Sequence, residues 1–182
     1  EIKADAYYNI VKDKIVAYPK GAQFRWTMIN LGRVEIKGLD VSASATLSPA
    51  GRLTLTAKAQ YTFQQALDVT SRDDSFYRDQ IPYVARHSGS AALLSQWGEW
   101  GLDCSFIYTG ERYCQQENIV YNYVQPWYTT DISALRDITL PRGAGVIRLQ
   151  VEVNNLLDQD YDVIINYPMP GRNVRVTARY TL

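Results

Sequence analysis

Leu53-Thr54-Leu55-Thr56-Ala57-Lys58-Ala59-Gln60-Tyr61-Thr62-Phe63 alternates apolar and polar residues along most of its length. Successive side chains of an extended strand point to opposite faces. The run therefore presents Leu53, Leu55, Ala57, Ala59, Tyr61 and Phe63 on one side, and Thr54, Thr56, Lys58, Gln60 and Thr62 on the other. A helix would repeat its apolar positions every 3.6 residues, which this run does not do. The same signature recurs elsewhere. Val41, Ala43, Ala45 and Leu47 interleave with Ser42, Ser44, Thr46 and Ser48, and Ile147, Leu149, Val151 and Val153 interleave with Arg148, Gln150, Glu152 and Asn154. At the end Val174, Val176, Ala178, Tyr180 and Leu182 alternate with Asn173, Arg175, Thr177, Arg179 and Thr181.

Turn-forming residues divide the chain into about eight such strands, near 3–17, 33–48, 51–65, 83–97, 99–113, 127–139, 145–154 and 171–182. The connections fall into two kinds. Pro49-Ala50-Gly51, Trp97-Gly98-Glu99 and Pro141-Arg142-Gly143-Ala144-Gly145 are short turns. Between them lie longer polar, aromatic-rich segments at 18–32, 66–82, 114–126 and 155–170. Strict alternation of short and long places every short turn at one end of the sheet and every long loop at the other.

Composition narrows the class. The 182 residues carry 19 Lys and Arg against 19 Asp and Glu, so neither a strongly basic nucleic-acid binder nor an acidic tail is expected. Apolar residues make up 46% but are dispersed singly, and no run approaches the roughly 20 needed for a membrane helix. Tyr (14) and Trp (4) outnumber Phe (4) and Met (2), which favours amphipathic aromatics over plain ones. The chain opens at Glu1 without an initiator Met, as a mature or cut product would.

Short turns at one end, long loops at the other, and strands apolar on one face and polar on the other match an outer-membrane barrel. A soluble sandwich or lipocalin-like barrel alternates as well, but fills a dry core with large Leu, Ile, Val and Phe. Here the apolar faces contain many Ala and Val, while Lys58, Arg148, Glu152, Arg175 and Arg179 on the opposite faces suit a wet lumen. Trp97 and Trp100 flank a short turn, and Tyr61, Phe63, Phe106, Tyr108, Tyr121, Tyr123, Trp127 and Tyr128 lie toward the long-loop end, where membrane interfaces would fall.

The C-terminal residues carry a family resemblance. Asn154-Asn155-Leu156-Leu157-Asp158-Gln159-Asp160-Tyr161, then Tyr167-Pro168-Met169-Pro170-Gly171-Arg172, and a last strand ending Arg179-Tyr180-Thr181-Leu182 resemble the end of TonB-dependent outer-membrane receptors. Within that motif Asn155, Leu156, Leu157, Asp158, Tyr161, Gly171, Arg172, Tyr180 and Leu182 are assigned structural roles. Leu182 stands where the family commonly has Phe. Asn30-Leu31-Gly32-Arg33-Val34-Glu35-Ile36-Lys37-Gly38-Leu39-Asp40 looks like the opening of one of the family's late strands.

The resemblance implies an all-β, antiparallel transmembrane barrel portion of about eight strands, residues 1–182 forming the C-terminal segment of a larger receptor. Such receptors are 22-stranded barrels with a plugged lumen, so the plug, the earlier strands and the TonB-contacting part would lie outside this sequence. It implies a non-enzymatic component for uptake of a scarce nutrient of the ferric siderophore, haem or cobalamin class. Its partners would be outer-membrane lipid, the rest of its own barrel and plug, TonB and the ligand, in a Gram-negative outer membrane, with no nucleic acid and no cofactor. Two alternatives stand beside it: a complete eight-stranded outer-membrane barrel with a structural or adhesive role, and a soluble β-sandwich binding module.

For ligand contact the loops offer Arg72, Asp73, Arg78, Tyr123, Trp127 and Arg172, which combine charge with stacking faces. Solvated loop, interfacial girdle and loop anchor are the plainer roles for the same residues. Asp158-Gln159-Asp160-Tyr161-Asp162 imitates the start of a calcium loop but has Val163 and Met169 at the positions that require Gly and Glu. His87 has no companion ligand at metal spacing, so a hydrogen-bonded lumenal or wall residue is expected. Cys104 and Cys114 lie ten residues apart along one extended segment, roughly 33 Å, which predicts two free thiols, or a partner outside this sequence, rather than a mutual disulfide. Gly143-Ala144-Gly145 is a turn, with no helix to complete a phosphate cradle.

Overall fold

A computed structural model describes residues 1–20 and 25–182. In chain order its strands are β1 (Ile2–Lys20), β2 (Arg25–Ala50), β3 (Leu53–Asp68), β4 (His87–Trp97), β5 (Trp100–Thr109), β6 (Arg112–Tyr113), β7 (Tyr123–Val124), β8 (Trp127–Thr139), β9 (Val146–Asn154), β10 (Asp162–Ile164), β11 (Tyr167–Pro168) and β12 (Asn173–Thr181). Eight of them form one sheet in the order β1-β2-β3-β4-β5-β8-β9-β12, each antiparallel to its neighbours. The remaining short strands pair as β6 with β7 and β10 with β11, inside two of the long connections. The sheet is open: β1 and β12 are its two edges.

Register converts the alternation of single strands into two continuous faces. One row runs Leu47, Leu55, Ser95, Leu102, Ala134, Val151, Val176, and the next runs Ala45, Ala57, Leu93, Cys104, Ile132, Val153, Val174. This apolar face has no second layer over it among the described residues, and Leu47 is 63%, Leu102 55% and Val176 71% exposed. A soluble sandwich would cover these side chains with a facing sheet, so that alternative is overturned. The opposite face pairs polar groups across strands. Arg148 makes a two-pronged contact with Asp137 at 2.7 Å, Arg175 pairs with Glu152, Thr62 donates to Asp40 at 2.6 Å, and the Thr46 and Thr56 hydroxyls meet at 3.2 Å.

Aromatic residues sit at both ends of the apolar face. Trp97 and Trp100 are cross-strand partners beside the turn at Gly98, with the Arg136 guanidinium 4.7 Å above the Trp100 ring. At the other end Phe106 and Tyr128 rings lie 5.9 Å apart, and Tyr61 hydrogen-bonds His87 Nδ1 at 2.7 Å with Phe63 beside the imidazole. His87 is thus a wall residue on the apolar face. From Trp100 to Tyr108 the strand rises roughly 26 Å, the height of the apolar band of an outer-membrane barrel.

Three boundaries differ from the sequence expectation. The segment 18–32, expected as a loop, is strand wherever it is described; the expected loop tip at 21–24 lies outside the described residues. Residues 25–32 of β2 pair with β1 alone, so this hairpin continues for roughly 26 Å of strand past its ladder with β3. The period-two signal fails there because the buried set changes parity. Val34 and Ile36 are followed by Leu31 and Ile29 in the same cluster, and between them Asp13 takes φ 53 and the Asp13–Gly32 pair is missing from the ladder. At the other boundaries, β4 begins at His87 rather than residue 83, and β5 ends at Thr109 rather than 113.

Candidate functional site

All long connections lie at one end of the sheet, and the core sits beneath them. Leu31, Val34, Ala66 and Ile81 form the buried cluster, with Val16, Ile29, Ile36 and Val84 packed against it. Val34 and Ala66 continue the polar face of the sheet upward, so the connection 69–86 folds back over that face. The chain becomes apolar on its inner side at the height where a loop covers it.

The connections are bound to one another by buried amides. Gln80 is 2% exposed; its side chain accepts from Ala66 N–H at 3.0 Å and donates to the Gln64 and Val84 carbonyls. Its own N–H donates to Asn118 Oδ1 at 2.8 Å, and Asn118 returns a bond to the Gln80 carbonyl. Asn118 N–H also donates to Asp79, Ser75 to Glu117, and Tyr83 N–H to the Tyr113 carbonyl. Connections 69–86 and 110–126 therefore form one body. Arg112, 3% exposed, ties this body to the last connection by donating to the Asp162 and Val163 carbonyls, both at 2.8 Å, and to Gln125 at 3.4 Å.

Asn155 organises the last connection. It is 4% exposed at φ 48, a left-handed conformation that Asn tolerates. Its N–H donates to Asp131 at 2.7 Å, its side-chain oxygen accepts from Gln159 N–H at 2.9 Å, and its amide donates to the Gln159 carbonyl at 2.8 Å. Asp158 accepts from Arg172 N–H at 2.7 Å and pairs with the Arg172 guanidinium at 3.6 Å. Tyr161 stacks on Trp127, with centroids 4.7 Å apart. A Cβ on Gly171 would sit 3.0 Å from Asp158, which accounts for a small residue there. Leu156 N–H donates to Thr130, Leu157 is exposed, and at the opposite end of the sheet the Tyr180 hydroxyl closes the last short turn on the Ala144 carbonyl. Leu182 is fully exposed beyond β12.

The sequence-selected ligand candidates do not converge on one spot. Arg72, Asp73 and Arg78 are exposed on the connection 69–86, and Arg172 is engaged with Asp158. Tyr123 packs edge-on to Tyr113 and lines, with Trp127 and Tyr161, a groove of about 480 Å³. Trp127 lies on the polar face, opposite to Tyr128, so the two adjacent aromatics serve different surfaces. A second cavity of about 350 Å³ is walled by every long connection: Ala17 and Trp26 from the β1–β2 hairpin, Tyr83, Arg112, and Val163 and Ile164, with Trp127 at its edge. Tyr83 and Arg112 carry no motif and were not selected from sequence, which placed them at the ends of the expected strands 83–97 and 99–113.

Two buried polar atoms belong to residues that line this cavity: Trp127 Nε1, without a hydrogen-bond partner among the described residues, and Tyr83 Oη, which has the Ile165 backbone N–H beside it and keeps its own proton to donate. Burial, and then the nearby Cys114, hold the Tyr83 phenol above its usual range, so it is neutral and able to donate. Burial draws the Arg112 guanidinium down from its usual value. Cys114 is buried and Cys104 exposed, and both are free. Among the described residues no group of three His, Cys, Asp or Glu side chains gathers as a metal site.

The fold has known relatives. A family model described as TonB dependent receptor-like, beta-barrel, matches residues 1–156. Among solved structures, the chain is similar to BauA, the ferric preacinetobactin receptor from Acinetobacter baumannii (TM-score 0.72, 14% identity, 98% of this chain and 27% of that one). It is similar to the ferric citrate transporter FecA in the unliganded form (0.72, 16%, 97% and 28%) and to the copper transporter OprC (0.71, 14%, 98% and 28%). The chain thus spans little more than a quarter of the length of these structures.

Proposed function

The chain belongs to the TonB-dependent receptor β-barrel family, and from that premise we propose that it forms the closing eight strands of an outer-membrane receptor for a scarce nutrient complex. The observation that carries this reading is the uncovered apolar face, bounded by aromatic residues at both ends and backed by a polar, ion-paired face. In hydrocarbon every backbone N–H and C=O needs a partner, so a lipid-embedded sheet with edges at β1 and β12 requires further strands to close it. The rest of the barrel and a plug would supply them, TonB would energise transport through a part outside these residues, and the polar face would line the lumen. The family is one of transport receptors, and the reading is non-enzymatic.

The fused connections would capture the ligand on the cell exterior. Relatives described as handling ferric preacinetobactin, ferric citrate and copper favour a metal complex as the nutrient. Ferric siderophore, haem and cobalamin are the classes proposed. The test is accessibility labelling of single-Cys variants of the full-length protein in intact cells. Cys at Ser75 and Asn118 is expected to label from outside and Cys at Gly98 and Arg142 is not; the reverse pattern overturns the orientation. The rival eight-stranded barrel predicts that paired Cys at Ala4 and Ala178 cross-link β1 to β12, whereas a larger barrel keeps them apart.

A further inference from the structure

We propose that the cavity enclosed by Trp26, Tyr83, Arg112 and Trp127 is a binding site for a carboxylate carried on a small planar group. This rests on the receptor reading for its biological setting, while its chemistry stands on the cavity alone. Arg112 is buried, and its three recorded hydrogen bonds all go to backbone carbonyls, leaving two of five N–H donors. Among the described residues no carboxylate forms an ion pair with it. A buried cation without a counter-charge is costly and is stabilised by an anion brought to it. Two further buried donors belong to residues lining the same cavity: the Trp127 indole N–H, without a partner among the described residues, and the Tyr83 hydroxyl, whose oxygen has the Ile165 backbone N–H beside it while its proton has no acceptor there.

A cation and two neutral donors fit a group that only accepts hydrogen bonds, as an ionised carboxylate does. Asp162, whose charge acts on Tyr83, accepts from Asn166 N–H at 2.9 Å and makes no ion pair with Arg112 among the described residues. Trp26 and Trp127 supply aromatic surface, and about 350 Å³ accommodates a ring-sized ligand. The elements that meet there are those already locked together, and Tyr83 is held in position at φ 59 by its N–H bond to Tyr113. Binding would satisfy donors that folding leaves without partners.

The experiment titrates the purified full-length receptor in detergent with benzoate, and with benzamidine as a cation of the same shape, by ligand-observed NMR. Benzoate is expected to bind saturably with Kd on the order of 1 mM, and benzamidine not to bind. Tyr83→Phe and Trp127→Phe, which keep an aromatic ring and remove the donor, are each expected to weaken benzoate about tenfold, the equivalent of one charge-assisted hydrogen bond. Arg112→Gln is expected to abolish binding, with heat-modifiable migration on gels reporting that each variant folds. Absence of saturable benzoate binding, equal binding of benzamidine, or unchanged affinity in both Phe variants overturns the site. Correct topology labelling with no benzoate binding overturns the site alone; benzoate binding with reversed labelling overturns the receptor orientation and leaves the site standing.

Discussion

Asn155 shows what the short motif at the end of this chain does. Its left-handed backbone and its bonds to Asp131 and Gln159 fix the exit of β9, and with it the return path to β12. Asn155→Ala loses both the conformational tolerance and the side-chain bonds, at a cost of about 2–3 kcal/mol. Asn155→Gly keeps the conformation and is expected to cost less; limited proteolysis of the connection 155–172 ranks the two. Tyr83 offers a pH readout. Its phenol is raised above 10.0 in the folded protein, so its stabilising contribution is complete below pH 10 and is lost as pH rises through the folded value. Proteolytic protection of the connections is expected to decline above pH 10, less steeply in Tyr83→Phe, with phenolate absorbance following the titration.

At the scale of elements, the roof holds together through amides while the wall holds through backbone ladders. Gln80→Ala leaves the Ala66 N–H and two carbonyls without their buried partner, costing about 2–3 kcal/mol. Hydrogen exchange is expected to quicken at Ala66 and in 69–86 and 110–126 together, because Asn118 couples them, and to remain slow in the rest of β3 and in β4. Gly38 is a strand position set by contact. It is paired with Tyr7, whose ring lies where a Cβ would stand, and that Cβ would also come within 2.6 Å of the Phe63 carbonyl oxygen. Gly38→Ala is expected to cost about 1–3 kcal/mol and to shift the β1–β2 register locally, read as faster exchange in residues 5–9.

At the scale of the molecule, the sheet has the geometry of a wall rather than of a self-contained body. Its buried cluster lies under the connections, and its largest apolar surface faces outward. Residues 1–182 expressed alone are expected to associate or aggregate through β1 and β12, since both edges present unpaired backbone groups. Light scattering in detergent reads this. A monodisperse, heat-modifiable monomer would favour closure of the eight strands on themselves. The β1–β2 hairpin, continuing for roughly 26 Å of strand past its ladder with β3, also brings Ala17 and Trp26 to the cavity that the other connections line.

The sequence by itself determined the strands, their two faces and the end at which the loops gather, because period-two alternation and turn residues are local properties of the chain. It also carried the C-terminal motif from Asn155 to Arg172, since those bonds join residues close in sequence. The hairpin at 18–32 was hidden by the change of face between Asp13 and Leu31, which breaks the local period while the pairing continues. Only the tertiary structure decided the site. Tyr83 and Arg112 come from separate connections, Trp127 from the start of β8 and Trp26 from the hairpin, and nothing local distinguishes a solvated arginine from a buried one. What makes Tyr83, Arg112 and Trp127 a set is the burial of polar groups with donors left over, and burial is a property of the folded chain alone.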